Sequence, residues 1–454
     1  MAIKSVNPAT GKTVEEFEPL SKDQVEAKLT KAQNAYESWR WVSLEERAKY
    51  LIAAADHLKA KVDIYGEVLT KEMGKPIGQA RSEVEKCAFN FQHYAESAAD
   101  YLKPRIIETD ASTSYVTFQP LGVILNIMPW NFAFWQALRM AAPIIMAGNT
   151  IVLKHASNVP RSALAIEKVF NEAGFPAGVY QTLLIDSSTI EDIINDDRVQ
   201  GVALTGSEGA GSAVGAEAGK QIKPVILELG GSDPSIVLAD ADVSFACETA
   251  SKSRLQNNGQ SCIGSKRFIV HEDVYDEFLE ELTNIFSSQV LGDPMDEETD
   301  LGPVVSEEAL DELLDQIKRN QEAGATVHYG GNRVERDGFF LEPTILTGVT
   351  EAMPAYKEEL FGPVVVVYKF SEEDQAIKIA NDTDFGLGAS IYTSDTDNGQ
   401  KLASKVEAGS VFINGLVKSD PRLPFGGIKR SGIGRELSEE GIKAFTNTKT
   451  IWVK

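Results

Sequence analysis

The spacing of apolar residues divides the chain into a helical first part and a longer part in which strands and helices alternate. From about residue 21 to residue 103, apolar side chains recur at intervals of three and four, as at Val25, Leu29 and Ala32, which predicts amphipathic helices. From residue 122 onward, short continuous apolar runs alternate with helical stretches. Continuous runs are typical of strands covered on both faces, so this part predicts a parallel, Rossmann-like α/β fold.

The predicted strands fall into two α/β units, with two strand-like segments outside them. The first unit has predicted strands over 123–127, 150–153, 180–185, 202–204 and 225–229, and helices over 134–146 and 161–173. The second unit has predicted strands over 268–270, 364–368, 389–392 and 411–414. Residues 106–118 alternate in polarity and predict a strand or hairpin, and 449–454 predicts a last strand.

Length and charge limit the partners of the chain. With 454 residues it is two or three times the usual domain size, so two or more cores are expected. The 44 Lys+Arg against 67 Asp+Glu leave a net charge of −23. Such a surface repels phosphate backbones and anionic lipid, so we expect neither nucleic acid nor a membrane as a partner.

The cysteines, the histidines and the N-terminal residues limit the cellular compartment and the kind of metal chemistry that we expect. The three cysteines cannot form a disulfide framework and share no CxxC spacing, which favours a reducing, cytoplasmic compartment. The polar N-terminus is unlike a signal peptide, and the longest apolar stretch, 137–148, is too short to span a membrane. The five histidines are not clustered, so we expect no protein-built metal site.

Cys262 is the candidate nucleophile. It lies in the polar, glycine-containing segment 256–265, where accessible surface and backbone N–H dipoles would lower the pKa of a thiol. The alternative is a buried and inert thiol, which is the common state of a free cysteine. Cys87 and Cys247 lie in helical runs, and the inert interpretation holds for both.

Two further polar residues lie at predicted strand ends. Glu228 stands within an apolar strand, where burial would raise the pKa of its carboxyl group toward the range of a general base. A structural carboxylate bonded to backbone N–H groups is the alternative. Asn131 follows the strand over 123–127, at the sheet edge that binds ligands, so its amide could donate to an oxyanion; otherwise it is a turn residue.

Eight motifs in order along the chain resemble those of the aldehyde dehydrogenase superfamily. Each motif alone is weak, but the eight together cover nearly the whole chain and are very specific. They are Pro129-Trp130-Asn131-Phe132, Lys154 after its strand, Thr205-Gly206-Ser207 with Gly211, Glu228-Leu229-Gly230-Gly231, Asn257 with Gly259, Gln260 and Cys262, Gly292-Asp293-Pro294 with Leu301-Gly302-Pro303, Glu359-Leu360-Phe361-Gly362-Pro363, and Pro424-Phe425-Gly426-Gly427.

The resemblance implies a division of the chain into three parts. A Rossmann-like cofactor domain is expected over 1–103 and 121–230, and a second α/β domain, the catalytic one, over 231–435. A β-hairpin oligomerisation element is expected over 104–120 and 436–454. Assembly through that element implies a homodimer or a dimer of dimers.

The resemblance also implies a catalytic set of Cys262, Glu228, Asn131 and Lys154. Cys262 would attack an aldehyde carbonyl, and the Asn131 amide and the Cys262 backbone N–H would hold the oxyanion. After hydride transfer to a nicotinamide, water activated by Glu228 would hydrolyse the thioester to an acid. Lys154 would hold cofactor ribose hydroxyls.

The cofactor site implied by the resemblance draws on the strand ends and on one helix N-terminus. Ser207 would present the N–H groups of its helix to the pyrophosphate, and Glu359 would hold the nicotinamide ribose. The full expected set is Met128, Pro129, Trp130, Lys154, His155, Ser157, Gly206, Ser207, Glu228, Leu229, Gly230, Glu359 and Phe361.

Ser157 bears on the choice of cofactor. Relatives that prefer NAD commonly carry Glu at this position, three residues after Lys154, and a carboxylate about 4 Å from a 2′-phosphate would cost roughly 4 kcal/mol at an effective dielectric of 20. Serine removes this repulsion, so we expect NADP over NAD. The alternative is that Ser157 merely caps the following helix.

Phe132, Trp135 and Arg139 are spaced to share one face of the helix after Asn131. An arginine on an otherwise apolar helix needs an anionic partner, either a substrate carboxylate or a structural ion pair. Arg139 and Ser419 are similar to the carboxylate anchors of succinate-semialdehyde dehydrogenases, which predicts a small aldehyde with a distal carboxylate. The expected substrate site comprises Arg139, Trp135, Phe132, Ser419 and Phe425.

Two departures from that subfamily keep alternatives open. Gln256 stands where some members carry a second carboxylate-binding Arg, and Gly264 stands where some carry a second redox-active Cys. Oxidation of another aliphatic or substituted aldehyde is therefore an alternative. Transfer of the thioester to coenzyme A is disfavoured because Glu228 is available to activate water, and an inactive scaffold is disfavoured by the retained catalytic residues.

Overall fold

The computed structural model describes residues 3–454. Its helices are α1 Lys22–Trp39, α2 Leu44–Ala60, α3 Val62–Met73, α4 Ile77–Tyr101, α5 Ala133–Met146, α6 Pro160–Glu172, α7 Ile190–Asn195, α8 Glu208–Lys220, α9 Val243–Leu255, α10 Tyr275–Ser287, α11 Glu307–Glu322, α12 Glu373–Asn381, α13 Thr396–Ala403 and α14 Ser438–Lys443.

The strands belong to three main sheets and two small ribbons. They are β1 Ile3–Asn7, β2 Lys12–Phe17, β3 Arg105–Ile106, β4 Thr113–Pro120, β5 Val123–Met128, β6 Thr150–His155, β7 Tyr180–Thr182, β8 Val199–Thr205, β9 Val225–Glu228, β10 Pro234–Val237, β11 Arg267–His271, β12 Thr326–Tyr329, β13 Thr344–Thr347, β14 Val364–Phe370, β15 Phe385–Gly386, β16 Gly388–Tyr392, β17 Ser410–Ile413, β18 Ile428–Lys429, β19 Gly432–Ile433 and β20 Thr446–Val453.

The first sheet has the order β19-β9-β8-β5-β6-β7, and its strands are parallel except for β19. Every residue of β5 and β6 is buried because helices cover both faces. Side chains of α5 and α6 pack on one face, and those of α1 and α8 pack on the other. The predicted Rossmann-like sheet is confirmed, although the strand predicted over 180–185 ends at Thr182.

The second sheet has the order β12-β13-β14-β11-β10-β16-β17, with only the β12–β13 pair antiparallel. The predicted second α/β unit is thus confirmed. Strand β19 lies within the range 231–435 that we assigned to this unit, but it pairs with β9 of the first sheet. The domain boundaries stay a prediction.

The third sheet joins two distant parts of the chain in the order β20-β4-β3. Strands β3 and β4 form a hairpin, and β20 pairs along the whole of β4, from Thr446 opposite Pro120 to Val453 opposite Thr113. The expected β-hairpin therefore supplies two of the strands of a three-stranded sheet, and β20 supplies the third. The strand predicted over 449–454 begins three residues earlier, at Thr446.

A ribbon of β1 and β2 near the N-terminus was not predicted. Strand β2 is exposed along most of its length and reads Lys-Thr-Val-Glu-Glu-Phe, so it lacks the alternation that marks a half-buried strand. In the described part of the chain, no helix combines the length and the apolar character needed to cross a membrane.

Candidate active site

Cys262 lies where two cavities of the protein meet. It follows helix α9 and the turn Gln256–Gly259, and it lines both cavities. The first, the helix cavity, has a volume of about 810 Å³ and is lined by Lys86, Phe132, Trp135, Arg139, Ser419 and Phe425, among others. The second, the sheet cavity, has a volume of about 610 Å³ and is lined by Pro129, Trp130, Gly206, Ser207, Glu359 and Phe361, among others.

The turn before Cys262 is held rigidly by two asparagines in the left-handed region, Asn257 at φ 59° and Asn258 at φ 57°. Asn residues tolerate this conformation better than other side chains that carry a Cβ. Asn258 donates to the carbonyl oxygens of Gly74 (2.9 Å) and Pro303 (2.7 Å). These bonds fix the backbone on which the thiol is presented.

Asn131 is buried beside this turn. Its side-chain Nδ2 donates to the backbone carbonyl oxygen of Gln260 at 3.1 Å. The backbone carbonyl oxygen of Asn131 accepts from Asn257 Nδ2 at 2.8 Å. A primary amide carries two N–H hydrogens, so one remains to donate elsewhere. Since Asn131 also lines the sheet cavity beside Cys262, the expected oxyanion donor and the thiol lie at one site.

The Cys262 thiol is protonated in this state of the protein. Its pKa is raised to about 12, mainly by burial, and the nearby Glu228 acts in the same direction, while the positive charges of Lys266 and Arg139 act in the opposite direction. The expectation that the loop would lower this pKa is therefore wrong for the resting site, because desolvation outweighs the dipoles and cations around the sulfur. A base or a bound ligand is needed to generate the thiolate.

Lys266 connects the thiol loop to the sheet cavity, and sequence analysis did not single it out. Its buried Nζ donates to the carbonyl oxygens of Ser261 and Cys262, both at 2.7 Å, and it pairs with Glu359 Oε1 at 3.0 Å. Glu359 also accepts from the Gly231 N–H at 3.2 Å. The carboxylate expected to hold a ribose is thus positioned by a lysine that also holds the nucleophile.

Glu228 ends strand β9 with its carboxyl group fully buried. Burial raises its pKa well above the usual range, and the neighbouring Glu436 raises it further. Among residues 3–454, neither of its carboxyl oxygens has a hydrogen-bond partner. The group packs against Gly426, where a Cβ would lie 2.7 Å from Oε1. A raised pKa means that the ionised carboxylate binds a proton tightly, which is the property that a general base needs.

Most of the predicted cofactor residues surround the sheet cavity. Those that line it are Pro129, Trp130, Gly206, Ser207, Leu229, Gly230, Glu359 and Phe361. The rings of Trp130 and Phe361 meet edge to face, 5.8 Å apart. At Gly230 a Cβ would lie 2.6 Å from Glu359 Oε2, so glycine keeps this part of the cavity open.

Two features near the sheet cavity favour an anionic dinucleotide, although the cavity lining itself holds more carboxylates than cations. Ser207 is the N-cap of α8, whose free N–H groups and helix dipole favour a phosphate. Lys154 is the last residue but one of β6; it is buried outside the cavity lining, and burial lowers its pKa. Over residues 3–454 it forms no ion pair, so its charge is available to a ligand.

Ser157 is exposed two residues after β6. Helix α6 has Val159 at its N-cap and, within the described chain, receives no side-chain cap. Ser157 therefore does not serve as a cap, which was the alternative interpretation of this residue. The residues around the sheet cavity fit NADP.

Two predicted cofactor residues point their side chains away from the cavity. His155 is buried, with Nε2 2.9 Å from the Ala133 carbonyl oxygen and Nδ1 accepting from the Ala156 N–H at 2.9 Å. Burial lowers its pKa to about 4. Met128 packs in the core around α5. Since strand side chains alternate between faces, residues adjacent to a site in sequence can belong to the core, and the expectation for these two side chains is corrected.

All five predicted substrate residues line the helix cavity. Phe132 and Trp135 enter it from α5, and Ser419 and Phe425 enter it from the chain after β17. Trp135 Nε1 donates to Ser419 Oγ at 2.9 Å. Gln256 also lines this cavity, at the position where some succinate-semialdehyde dehydrogenases carry an arginine.

Arg139 has a partner within the protein. Its guanidinium forms an ion pair with the carboxylate of Glu436, and both side chains are almost completely buried. It also lies over the Phe425 ring, 4.8 Å from the ring centre. Of the two anionic partners expected for Arg139, the structural one is therefore present, and its contact with a substrate carboxylate stays a prediction.

Lys86, Lys266 and Glu436 are the site residues that sequence analysis missed. Each of these three residues lies outside the eight family-like motifs. Lys86 gave one usable signal: it is three residues after Glu83 and four before Asn90, so a helix places it beside two polar residues on a buried face. Lys266 and Glu436 pair with charged residues that are distant in sequence, so the residues around each of them gave no indication of these ion pairs.

A family model provides the deciding comparison: the aldehyde dehydrogenase family model matches residues 1–451. The chain belongs to the aldehyde dehydrogenase family. The resemblance carried by the eight motifs is thereby confirmed.

Relatives within the aldehyde dehydrogenase family match over their whole length. The chain is 49% identical to a probable NADP(+) succinate-semialdehyde dehydrogenase of Synechocystis, with all of both chains covered. It is 47% identical to the NADP(+) succinate-semialdehyde dehydrogenase 1 of Mycobacterium tuberculosis, again with full coverage of both. The crystal structure of succinic semialdehyde dehydrogenase from Streptococcus pyogenes with NADP+ is similar at a TM-score of 0.98, with 43% identity and full coverage of both chains.

Proposed function

We propose that this aldehyde dehydrogenase oxidises succinic semialdehyde to succinate with NADP as the cofactor. The observation that carries the proposal is the position of Cys262 between a sheet-edge cavity that fits a dinucleotide and a helix cavity, lined by Arg139, Lys86 and Ser419, that fits a small acid. The names of the Synechocystis, mycobacterial and streptococcal relatives support the same substrate and cofactor.

The carbonyl chemistry centres on Cys262. Its sulfur attacks the aldehyde carbon, and the free N–H of Asn131 together with the Cys262 backbone N–H holds the oxyanion of the thiohemiacetal. NADP, when bound, supplies the acceptor for the two electrons that leave this carbon. The product of that step is a thioester on Cys262.

Glu228 serves the second half of the reaction. As an ionised group it takes a proton from the water that attacks the thioester, which releases the acid and restores the thiol. Its burial gives it a high affinity for that proton, in keeping with the raised pKa. The nearby Arg139 favours the ionised state of Glu228, whereas the neighbouring Glu436 disfavours it.

The cofactor is held by charge at one end and by shape at the other. Lys154 and Ser157 would hold the 2′-phosphate and ribose of NADP, and the N-terminus of α8 at Ser207 would hold the pyrophosphate. Glu359 would hold the nicotinamide ribose, and Phe361 would pack on the nicotinamide side. Phe132, Trp135 and Phe425 form the apolar wall around the aldehyde, and Ser419 donates to its far end.

The third sheet is the assembly element of the proposed homodimer or dimer of dimers. Its outer surface exposes Ile106 and Trp452, large apolar side chains that an isolated chain gains nothing from exposing. The domains proposed above, over 1–103 with 121–230 and over 231–435, would then be brought together through 104–120 and 436–454. The free thiols support a reducing, cytoplasmic compartment.

A panel of aldehydes, each run with NADP and with NAD, tests the proposed function. Formation of the reduced cofactor is followed for succinic semialdehyde, butyraldehyde, an amino aldehyde and a phosphorylated aldehyde. We expect the highest kcat/KM with succinic semialdehyde and NADP. Cys262→Ala should abolish turnover, whereas Cys247→Ala, which changes a buried thiol, should not. A higher kcat/KM for any uncharged aldehyde would overturn the proposal, and inactivity with every aldehyde would indicate a scaffold.

A further inference from the structure

Among the cations of the helix cavity that are not exposed, which are Lys75, Lys86 and Arg139, Lys86 is the one without a carboxylate partner in the described chain. It projects from α4 into the cavity, where its Nζ lies over the Trp135 ring, 4.1 Å from the ring centre. The same Nζ donates to Ser419 Oγ at 2.9 Å. Among residues 3–454 it forms no ion pair, although a largely desolvated ammonium group is costly without one.

The charged groups around Lys86 are already committed to other residues. On its own helix Glu83 pairs with Lys75, and Cys87 is a buried thiol. Two charged residues face Lys86 from other parts of the fold: Arg139 from α5 and Asp420 from the chain after β17. Each already forms an ion pair, Arg139 with Glu436 and Asp420 with Arg422. The positive charge of Lys86 is thus left unbalanced in a cavity that opens to the thiol.

Ser419 is oriented by the same contacts. Its oxygen accepts from Lys86 Nζ and from Trp135 Nε1, each at 2.9 Å. A hydroxyl oxygen has two lone pairs and one proton, so with both lone pairs engaged the proton must be donated. An ammonium group and a hydroxyl donor therefore stand side by side in the helix cavity, and a carboxylate satisfies both.

We propose that Lys86 supplies a positive charge that binds the distal carboxylate of the substrate, with Lys86 and Trp135 holding Ser419 as the second donor to that carboxylate. This inference rests on the proposed function and names the residue that gives it its specificity. Lys86 is a binding residue that selects anionic over neutral aldehydes of the same length.

The charge of Lys86 depends on pH. Its pKa is lowered to about 8, mainly by burial, and the charge of Arg139 acts in the same direction, while Cys87, Glu83 and Asp420 act in the opposite direction. In the free enzyme the charge is therefore present below pH 8 and is lost as the pH rises through that value. Recognition of a carboxylate should be lost over the same range, whereas recognition of a neutral aldehyde should not.

The first experiment compares succinic semialdehyde with butyraldehyde on the wild type and on Lys86→Met, which keeps the length of the side chain and removes its charge. We expect the ratio of kcat/KM for the two aldehydes to fall about 10- to 100-fold, mainly through KM for succinic semialdehyde, as loss of a charged hydrogen bond implies. The matched control is Lys252→Met. Lys252 is an exposed lysine at the mouth of the same cavity, and its loss should change the ratio less than about twofold.

The second experiment measures the same ratio against pH for the wild type and for Lys86→Arg. Dividing the two kcat/KM values cancels the ionisations of Cys262 and Glu228, which both substrates share. In the wild type the ratio should fall as the pH rises through about 8. In Lys86→Arg the guanidinium stays charged, so the fall should disappear while most of the preference for succinic semialdehyde is kept.

The outcomes separate this inference from the proposed function. A wild type that prefers butyraldehyde would contradict the proposed function. A wild type that prefers succinic semialdehyde, with the preference unchanged in Lys86→Met or lost equally in Lys252→Met, would overturn the role of Lys86 alone. Retained butyraldehyde turnover shows that Lys86→Met is folded. If Lys86→Met lacks it, Lys86→Gln and Lys86→Arg are compared instead, and an equal aldehyde ratio in those two would overturn the inference.

Discussion

The two cavities that meet at Cys262 are formed by different kinds of structural element. The sheet cavity is made by strand ends, glycines and one helix N-terminus, so its shape follows from backbone that the first sheet places. The helix cavity is walled by side chains of α4, α5, α9 and the chain after β17, which are far apart in sequence. The shape of the sheet cavity depends on local backbone geometry. The charge of the helix cavity depends on which of its charged side chains form ion pairs.

That difference shows why a cation near a substrate is not necessarily its anchor. Arg139 and Lys86 line the same cavity, but Arg139 is neutralised by Glu436 and Lys86 is not neutralised by any residue of the described chain. A buried ion pair contributes structure, whereas an unpaired cation leaves affinity for an anion. The following predictions test each cavity and the residue between them.

The largest expected effect is on stability and concerns Arg139. Arg139→Met leaves Glu436 buried and unpaired beside Glu228, and breaking such a pair costs about 3–5 kcal/mol. Urea unfolding of wild type and variant measures the loss. The double variant Arg139→Met with Glu436→Leu should recover most of it, because neither charge is then buried alone. A loss below about 1 kcal/mol in the single variant would mean that Arg139 is available to a ligand after all.

The next effect concerns Asn131, at the boundary between the cavities. Asn131→Ala removes one oxyanion donor, so kcat should fall about 10²- to 10³-fold, equivalent to about 3–4 kcal/mol. The affinity for NADP, measured by fluorescence titration, should stay within about twofold because the cofactor wall is intact. Equal losses in kcat and in NADP affinity would instead assign Asn131 to the support of the turn around Cys262.

The smallest effect concerns the exposed end of the sheet cavity. Ser157→Glu places a carboxylate near the 2′-phosphate, and because the position is exposed, screening limits the repulsion to about 1–2 kcal/mol. The ratio of kcat/KM with NADP to that with NAD should fall about 5- to 30-fold. Ser157→Ala is the matched control and should change it only a few-fold. An unchanged ratio in Ser157→Glu would show that Lys154 alone sets the preference.

The contrast between the cavities also explains what could be predicted from the sequence. The sheet cavity was predictable because its residues follow strands whose apolar runs are continuous, as before Asn131 and Lys154. The prediction was wrong for side chains next to the site in sequence that the alternation along a strand directs into the protein core, as at His155. The ribbon near the N-terminus was missed because β2 is polar and exposed.

The helix cavity was predictable in part. The helical spacing correctly placed Phe132, Trp135 and Arg139 on one face, and all three line the cavity. The spacing could not reveal that Glu436, which lies 297 positions after Arg139 (436 − 139), pairs with it, or that Lys86 reaches Ser419. Contacts of that kind arise from tertiary packing and have no local pattern. The pKa of Cys262 was misjudged for the same reason, since its burial is set by both domains together.

Lys266 makes the two cavities parts of one thermodynamic system. Because the same ammonium group holds the carbonyls of Ser261 and Cys262 and the carboxylate of Glu359, a ligand that draws Glu359 away changes the restraint on the nucleophile. Binding free energies of two linked ligands are reciprocal. Whatever factor NADP imposes on the affinity of the thiol for a reversible covalent inhibitor, that inhibitor must impose on the affinity for NADP.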